Sequence, residues 1–179
     1  MTIDEAIHLE PYDKQWADRF NDEHRLLIGE IGPYTAAIEH FGSTSVPGMT
    51  AKPIVDILVG VENARHTDEI LPKLAAMGYE NLGESGIIDR IYLRKRGKLA
   101  YNVHIVSYRG DIWNHNIIIR DYLRAHAVEA ERYSEIKQRI VSQGARTLLR
   151  YSDEKNAFME QLLARAKEWK NGRTGEQAN

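Results

Sequence analysis

Two apolar stretches joined by a small-residue turn carry the groups best suited to chemistry. The first ends in Ile38-Glu39-His40-Phe41. The turn follows as Gly42-Ser43-Thr44-Ser45-Val46-Pro47-Gly48, and Lys52-Pro53-Ile54-Val55-Asp56-Ile57-Leu58-Val59 continues the chain. Glycine lets a backbone approach a ligand closely. Successive N–H groups in such a turn can converge on a phosphate-sized anion, and the hydroxyls of Ser43, Thr44 and Ser45 add donors. Asp56 interrupts an apolar run, where a carboxylate is costly to bury unless a metal ion or a cation accompanies it. A phosphate cradle beside a metal-type carboxylate points to nucleotide chemistry. The bland alternative is an ordinary strand connection, since Gly, Pro and Ser dominate turns for backbone reasons. In that reading Asp56 is a structural acid paired with Lys52 or an arginine.

His40-x-Gly42-Ser43-Thr44-Ser45-Val46-Pro47-Gly48, with Lys52-Pro53 and Asp56, resembles the signature of the GrpB family. Tyr101-Asn102-Val103-His104-Ile105-Val106 resembles it too, as does Trp113 followed by Ile119-Arg120-Asp121-Tyr122-Leu123-Arg124-Ala125-His126. The resemblance runs from about Leu9 to Ala166. That family is grouped with the nucleotidyltransferase fold. The resemblance therefore implies an α+β domain with a nucleotidyltransferase-like mixed sheet, flanking helices and a helical C-terminal part. In nucleotidyltransferases a Gly-Ser pair opens the active-site signature, here Gly42 and Ser43. Two acids one residue apart on a strand then share a face, because side chains alternate with period two, and they hold divalent metal. Asp56 takes the first position; Leu58 takes the second. Two-metal transfer needs hard oxygen ligands, so one metal suffices here, other residues complete the set, or that catalysis is absent.

His104 lies on the strand where many nucleotidyltransferases place a third acid. Imidazole is a metal ligand for softer ions and a general base near neutrality. His40 on the entering strand is a candidate third ligand, giving His40, Asp56 and His104 as a mixed metal site. A lone histidine on a strand is more often structural. Lys52, Arg90 and Arg120 join Gly42, Ser43, Thr44 and Ser45 as expected phosphate contacts, since arginine binds phosphate bidentately. Asn116, Arg120 and Arg124 share a helix face by their spacing of four, with Asp121 turned from the site. Arg94, Lys95, Arg96 and Lys98 read as a solvated hairpin tip. Trp113, Tyr122 and Tyr133 read as core rather than base-stacking groups. Lys137 and Lys155 are family-like positions on later helices; either could reach the site, but charged helix residues usually face water.

Length and composition bound these readings. The 179 residues fit one domain with a sizeable core, taken as 1–170, with a polar tail over 171–179. Lys plus Arg is 24 and Asp plus Glu 26, a net charge of −2, which gives no push toward nucleic acid. There is no cysteine, which removes disulfides and thiolate chemistry. No apolar run approaches a membrane span and no signal-peptide pattern opens the chain. A cytoplasmic protein without a membrane partner is the expectation.

The elements expected to position the site follow from periodicity. A short strand is expected over 7–10. Asp13 caps a helix to about Ile31, with Trp16, Phe20, Leu27 and Ile31 on one side. Strands are expected over 36–41, 54–59, 87–94 and 99–106, and helices over 67–77, 111–124, 127–143 and 152–170. The resulting functional expectation is metal-dependent transfer of a nucleotidyl group from a nucleoside triphosphate to an unknown acceptor. Asp56 and His104 would be catalytic and Mg2+ the cofactor. The alternatives are a non-catalytic nucleotide-binding module and a metal-dependent phosphohydrolase.

Overall fold

The computed structural model describes residues 5, 6, 8–144 and 147–176. Its centre is Val55–Val61 (β2), where Val55, Ile57, Val59 and Val61 alternate with Asp56, Leu58 and Gly60. Alternation sends the two sets to opposite faces. β2 pairs antiparallel with Ala37–Phe41 (β1) and parallel with Tyr101–Ser107 (β5). β5 pairs antiparallel with Ile91–Lys95 (β4), and β4 with the short Glu80–Asn81 (β3). The mixed sheet has the order β1-β2-β5-β4-β3.

One face is closed by Gln15–Ile31 (α1) and His66–Ala76 (α2). Trp16, Leu27, Ile31, Ile70 and Leu74 pack there with Ile38, Val55, Ile57, Val59, Val103 and Ile105. Burying one such Leu or Ile fully contributes about 1.5–3 kcal/mol. Asp13 acts as expected at the start of α1, where its Oδ1 accepts the Gln15 N–H at 2.9 Å. A 3-10 turn at Gly32-Pro33-Tyr34 ends that helix.

Asp111–Ala125 (α3) covers half of the other face. Trp113 packs there with Phe41, Leu58 and Val106. Gly60 makes room for it: a Cβ at that position would stand 2.8 Å from the Trp113 ring and 2.9 Å from Tyr108. Ala127–Ser142 (α4) and Leu148–Glu176 (α5) complete the helical C-terminal layer. With α3 they bury Ile118, Tyr122, Leu123, Tyr133, Leu162 and Ala166 together with Val46 and Met49 of the β1–β2 connection. Trp113, Tyr122 and Tyr133 are core residues, at 6%, 7% and 4% exposure.

Several boundaries differ from the sequence-based expectation. The strand expected over 87–94 begins only at Ile91, because Gly83, Ser85, Gly86 and Asp89 all have positive φ and break extended backbone. Ile7 lies outside the described residues; Glu10 makes a two-way bridge to Ala51 rather than a strand. α5 starts before 152 and continues to Glu176, beyond the expected end at 170; residues 177–179 lie outside the described residues. The basic hairpin is solvated at Arg96 and Lys98, which are exposed, but not at Arg94 and Lys95. Arg94 Nε donates to Glu80 at 2.7 Å, and Lys95 pairs with the buried Glu23 of α1 and lies over the Tyr79 and Tyr101 rings. Arg96 donates to both oxygens of Glu5 at 3.0 and 2.7 Å.

Candidate functional site

Asp56 sits where the β1–β2 turn folds back over the sheet. Gly42 has φ +70°, and a Cβ there would meet Asp56 Oδ2 at 2.7 Å. Only glycine satisfies both the backbone and the close approach. Asp56 Oδ1 accepts from Asn102 Nδ2 at 2.7 Å, and Asn102 Oδ1 accepts from the Tyr92 hydroxyl and from Arg96 Nη2, each at 2.9 Å. The register makes this chain possible. Asp56 stands beside Asn102, Leu58 and Tyr92 both stand beside His104, and all lie on one face.

The helical layer brings lysines to this face. Lys137 of α4 donates to Ser43 Oγ at 2.9 Å and to the Thr50 carbonyl, and lies over the Tyr133 ring at 4.6 Å. Ser134, one turn before it, accepts the Thr50 N–H at 3.2 Å, so α4 is docked on the β1–β2 connection. The side chains of Lys52 and Lys155 make no hydrogen bond among the described residues; Lys155 Nζ lies 5.2 Å from the centre of the Tyr151 ring. All three lysines lie within electrostatic reach of Asp56. Burial pushes Lys137 down to about 7, with Lys155 and Lys52 adding to the effect against Asp56. Burial pulls Lys52 to about 8 despite Asp56, and it lowers Lys155 likewise. Asp56 thus interacts with three lysine side chains, and Glu5 is a second carboxylate within electrostatic reach of Lys52.

The structure sorts the expected site residues. Gly42, Ser43, Lys52 and Asp56 gather in this cleft, and His104 shares their face. Its ring stands edge-on to Phe41 and Tyr92, both at 5.0 Å, and has no hydrogen-bond partner among the described residues. Burial, then the charges of Arg90, Lys52 and Lys155, hold its pKa well below the ordinary value, so it is neutral and weakly basic. Arg90 lies near it, over the Tyr92 ring at 5.2 Å, with Nη2 on the carbonyls of Glu84 and Ser85. Its Nε is buried without a partner.

His40, Thr44, Ser45 and Arg120 do not join them. His40 pairs with Ile57, so alternation turns it to the α1 face, away from Asp56 and His104. There it stacks on Phe20 at 4.7 Å and meets Thr44 Oγ1 at 3.0 Å, which also takes the Thr44 hydroxyl out of the cradle. Ser45 Oγ closes its own turn on the Gly42 carbonyl at 2.6 Å. Arg120 is held between Glu39 at 2.7 Å and Asp121 at 2.9 Å, with Nη1 also on the His40 carbonyl at 3.1 Å, so two of its three nitrogens are already engaged. Arg124 is the residue that reaches the turn, donating to the Ser45 carbonyl at 2.9 Å. A mixed site of His40, Asp56 and His104 is therefore excluded by topology.

The donor set forms no multi-carboxylate cage for two metal ions either. Leu58 has 0% exposure beneath Trp113, so the second acid position is packed rather than merely neutral. Glu39 and Glu80, on the same face by register, are each held by an arginine. Among the described residues no group of three acidic or histidine side chains could hold a metal. Magnesium is usually held by one or two carboxylates together with waters and substrate phosphates; here the one carboxylate, Asp56, stands amid lysines.

Lys137, Lys155, Asn102 and Tyr92 are the site residues that the sequence reading did not assign. The lysines did leave a signal. Ala130, Tyr133, Ser134, Lys137 and Ile140 form the buried stripe of α4, and Tyr151, Lys155, Phe158, Leu162 and Ala166 repeat that three-and-four spacing on α5. A lysine inside an apolar stripe is a buried cation. Two cavities lie elsewhere. One of about 370 Å³ is lined by Tyr12, His40, Thr44 and Arg124, and one of about 610 Å³ by Ile118, Arg124, Trp169 and Arg173; neither reaches Asp56.

Fold and site together define an α+β protein with a lysine-lined cleft over a single carboxylate. The chain belongs to the GrpB family: the pattern of the GrpB protein matches residues 6–165. It is 35% identical over 163 residues to the UPF0157 protein YqkA of Bacillus subtilis (strain 168), covering 90% of this chain and 48% of that one. The chain thus spans about half the length of that relative. The crystal structure of the conserved protein GrpB from Enterococcus faecalis superposes with a TM-score of 0.81 at 31% identity, over 90% of this chain and 99% of that one. Cid1, solved in complex with the UTP analogue UMPNPP, is a distant structural neighbour with a TM-score of 0.43 and 17% identity, over 73% of this chain and 42% of its own. That likeness is too weak to argue from. Among the described residues no helix is long and apolar enough to cross a membrane.

Proposed function

We propose that the cleft over Asp56 binds the phosphate chain of a nucleoside triphosphate. The observation that carries this is the excess of lysines over carboxylates. Lys52, Lys137 and Lys155 all act on Asp56, Glu5 adds one carboxylate near Lys52, and Lys137 is fixed on Ser43 at the mouth of the turn. Burying unpaired cations is costly, and a polyphosphate supplies the missing anions through charge-assisted hydrogen bonds. Gly42 keeps the turn flush against Asp56, and Asn102 orients that carboxylate.

Nucleotidyl transfer to an unknown acceptor is the second reading, favoured by Asp56 and His104 sharing one face on adjacent strands. The acceptor hydroxyl would attack the α-phosphorus and pyrophosphate would leave, with the lysines neutralising the departing charge. The histidine-based phosphohydrolase loses its ligand set, because His40 faces away.

Isothermal titration with a nucleoside triphosphate tests the binding. Ser43→Ala removes the hydroxyl that seats Lys137, and should weaken binding by about 1.5–3 kcal/mol. Absence of binding, or unchanged affinity in a folded variant, refutes the assignment. Pyrophosphate release over a panel of acceptors then separates a transferase from a binder.

A further inference from the structure

We infer that this cleft takes its polyphosphate as the metal-free polyanion, with the ammonium groups of Lys52, Lys137 and Lys155 standing in for divalent ions. The inference rests on the nucleotide-binding reading above and goes further by fixing the ionic form of the ligand.

Three observations converge. The first is the donor set. Asp56 has one oxygen engaged by Asn102 at 2.7 Å, Leu58 is fully buried under α3, and Glu39 is bound to Arg120 at 2.7 Å. The face that would hold two ions therefore offers one shared carboxylate. The second is the placement of the cations. Lys137 of α4 is held on Ser43 at 2.9 Å, next to the Gly42 that abuts Asp56, and Lys52, which leads into β2, and Lys155 of α5 interact with the same carboxylate, so three separate elements bring a lysine to it. The third is that these lysines are incompletely matched. The side chains of Lys52 and Lys155 have neither a hydrogen bond nor a contact ion pair among the described residues, Glu5 being the one further carboxylate that acts on Lys52, while Lys137 is held in place by Ser43 and Thr50.

The physical consequence is a competition. A divalent ion at Asp56 would be repelled by three ammonium groups, and those groups would lose the phosphate charge that the ion neutralises. Bare phosphate oxygens meet all three lysines. Lysine suits this role as a compact point charge with three rotatable donors, able to contact oxygens along a flexible chain. Burial lowers the pKa values of all three lysines, and their mutual repulsion adds to this for Lys52 and Lys137, as an excess of positive charge would.

Calorimetric titration of ATP and of inorganic tripolyphosphate, each in metal-stripped buffer and in saturating magnesium, tests the inference. The expected result is binding at least about tenfold tighter without metal, a difference of about 1.4 kcal/mol. Lys155→Met should lose most of the metal-free affinity and with it the magnesium penalty; Lys52→Met serves if the first variant does not fold. Equal affinity in the two buffers, or tighter binding with magnesium, overturns the inference and leaves the nucleotide site standing. Failure of both probes in both buffers ends the nucleotide reading and this inference with it.

Discussion

At the residue scale, Lys137 makes the site sensitive to pH in two opposite ways. Its folded value of about 7 lies below the ordinary 10.5. Between those values the unfolded chain binds more protons than the folded one, so stability rises with pH across that window. Lys52, at about 8, acts in the same direction over a narrower window. Ligand binding runs the other way, because a polyphosphate is held by ammonium and not by amine. The ligand-free protein should therefore show a rising urea midpoint as pH climbs above about 7, and Lys137→Met should flatten that slope. Affinity for polyphosphate should fall over the same range. A midpoint that falls with pH, with the same slope in the variant, would mean Lys137 stays charged in the free protein.

At the element scale, β2 and α3 decide what Asp56 can do. β2 presents Asp56, Leu58 and Gly60 on one face, and α3 lays Trp113 over the last two. The nucleotidyltransferase pattern would need an acid where this protein has packing. Leu58→Asp rebuilds that pattern in sequence only. It places an uncompensated charge in an apolar cluster, and the expected cost is about 3–5 kcal/mol with no gain in magnesium affinity. Urea titration with and without magnesium checks this; a stable variant that binds magnesium would show the face to be adaptable. The turn shows the same dependence on neighbours. Ser43, Thr44 and Ser45 look equivalent in the chain, yet the 3-10 conformation sends one hydroxyl to Lys137, one to His40 and one back to Gly42.

At the scale of the whole molecule, the cleft joins parts of the chain that are far apart in sequence. Thr50 and Ser43 meet α4 through Ser134 and Lys137, 84 and 94 residues away respectively. A polyphosphate bridging Lys52, Lys137 and Lys155 would tie the sheet to both C-terminal helices. Hydrogen exchange should then slow in α4, in the first turns of α5 and around residue 52, and remain unchanged in α1 and α2, which cover the opposite face. Protection confined to α1 would instead point to the cavity lined by His40 and Arg124.

Sequence by itself determined the local periodicities. The pattern of 54–59 defined a strand with Asp56 and Leu58 on one side, the helical stripe of Trp16, Phe20, Leu27 and Ile31 defined α1, and the Gly42 turn stood out by composition. These follow from geometry within a few residues of chain. Tertiary structure decided how the faces relate. Strand period cannot say whether His40 and Asp56 share a side; the antiparallel register that sets Phe41 opposite Asp56 does, and it sends His40 the other way. Helix period places Lys137 and Lys155 within buried stripes, but what those stripes face depends on how α4 and α5 dock. The carboxylate and the nearby Lys52 were legible in the sequence, and the roles of Lys137 and Lys155 were not, because their contacts are made by packing across long stretches of chain.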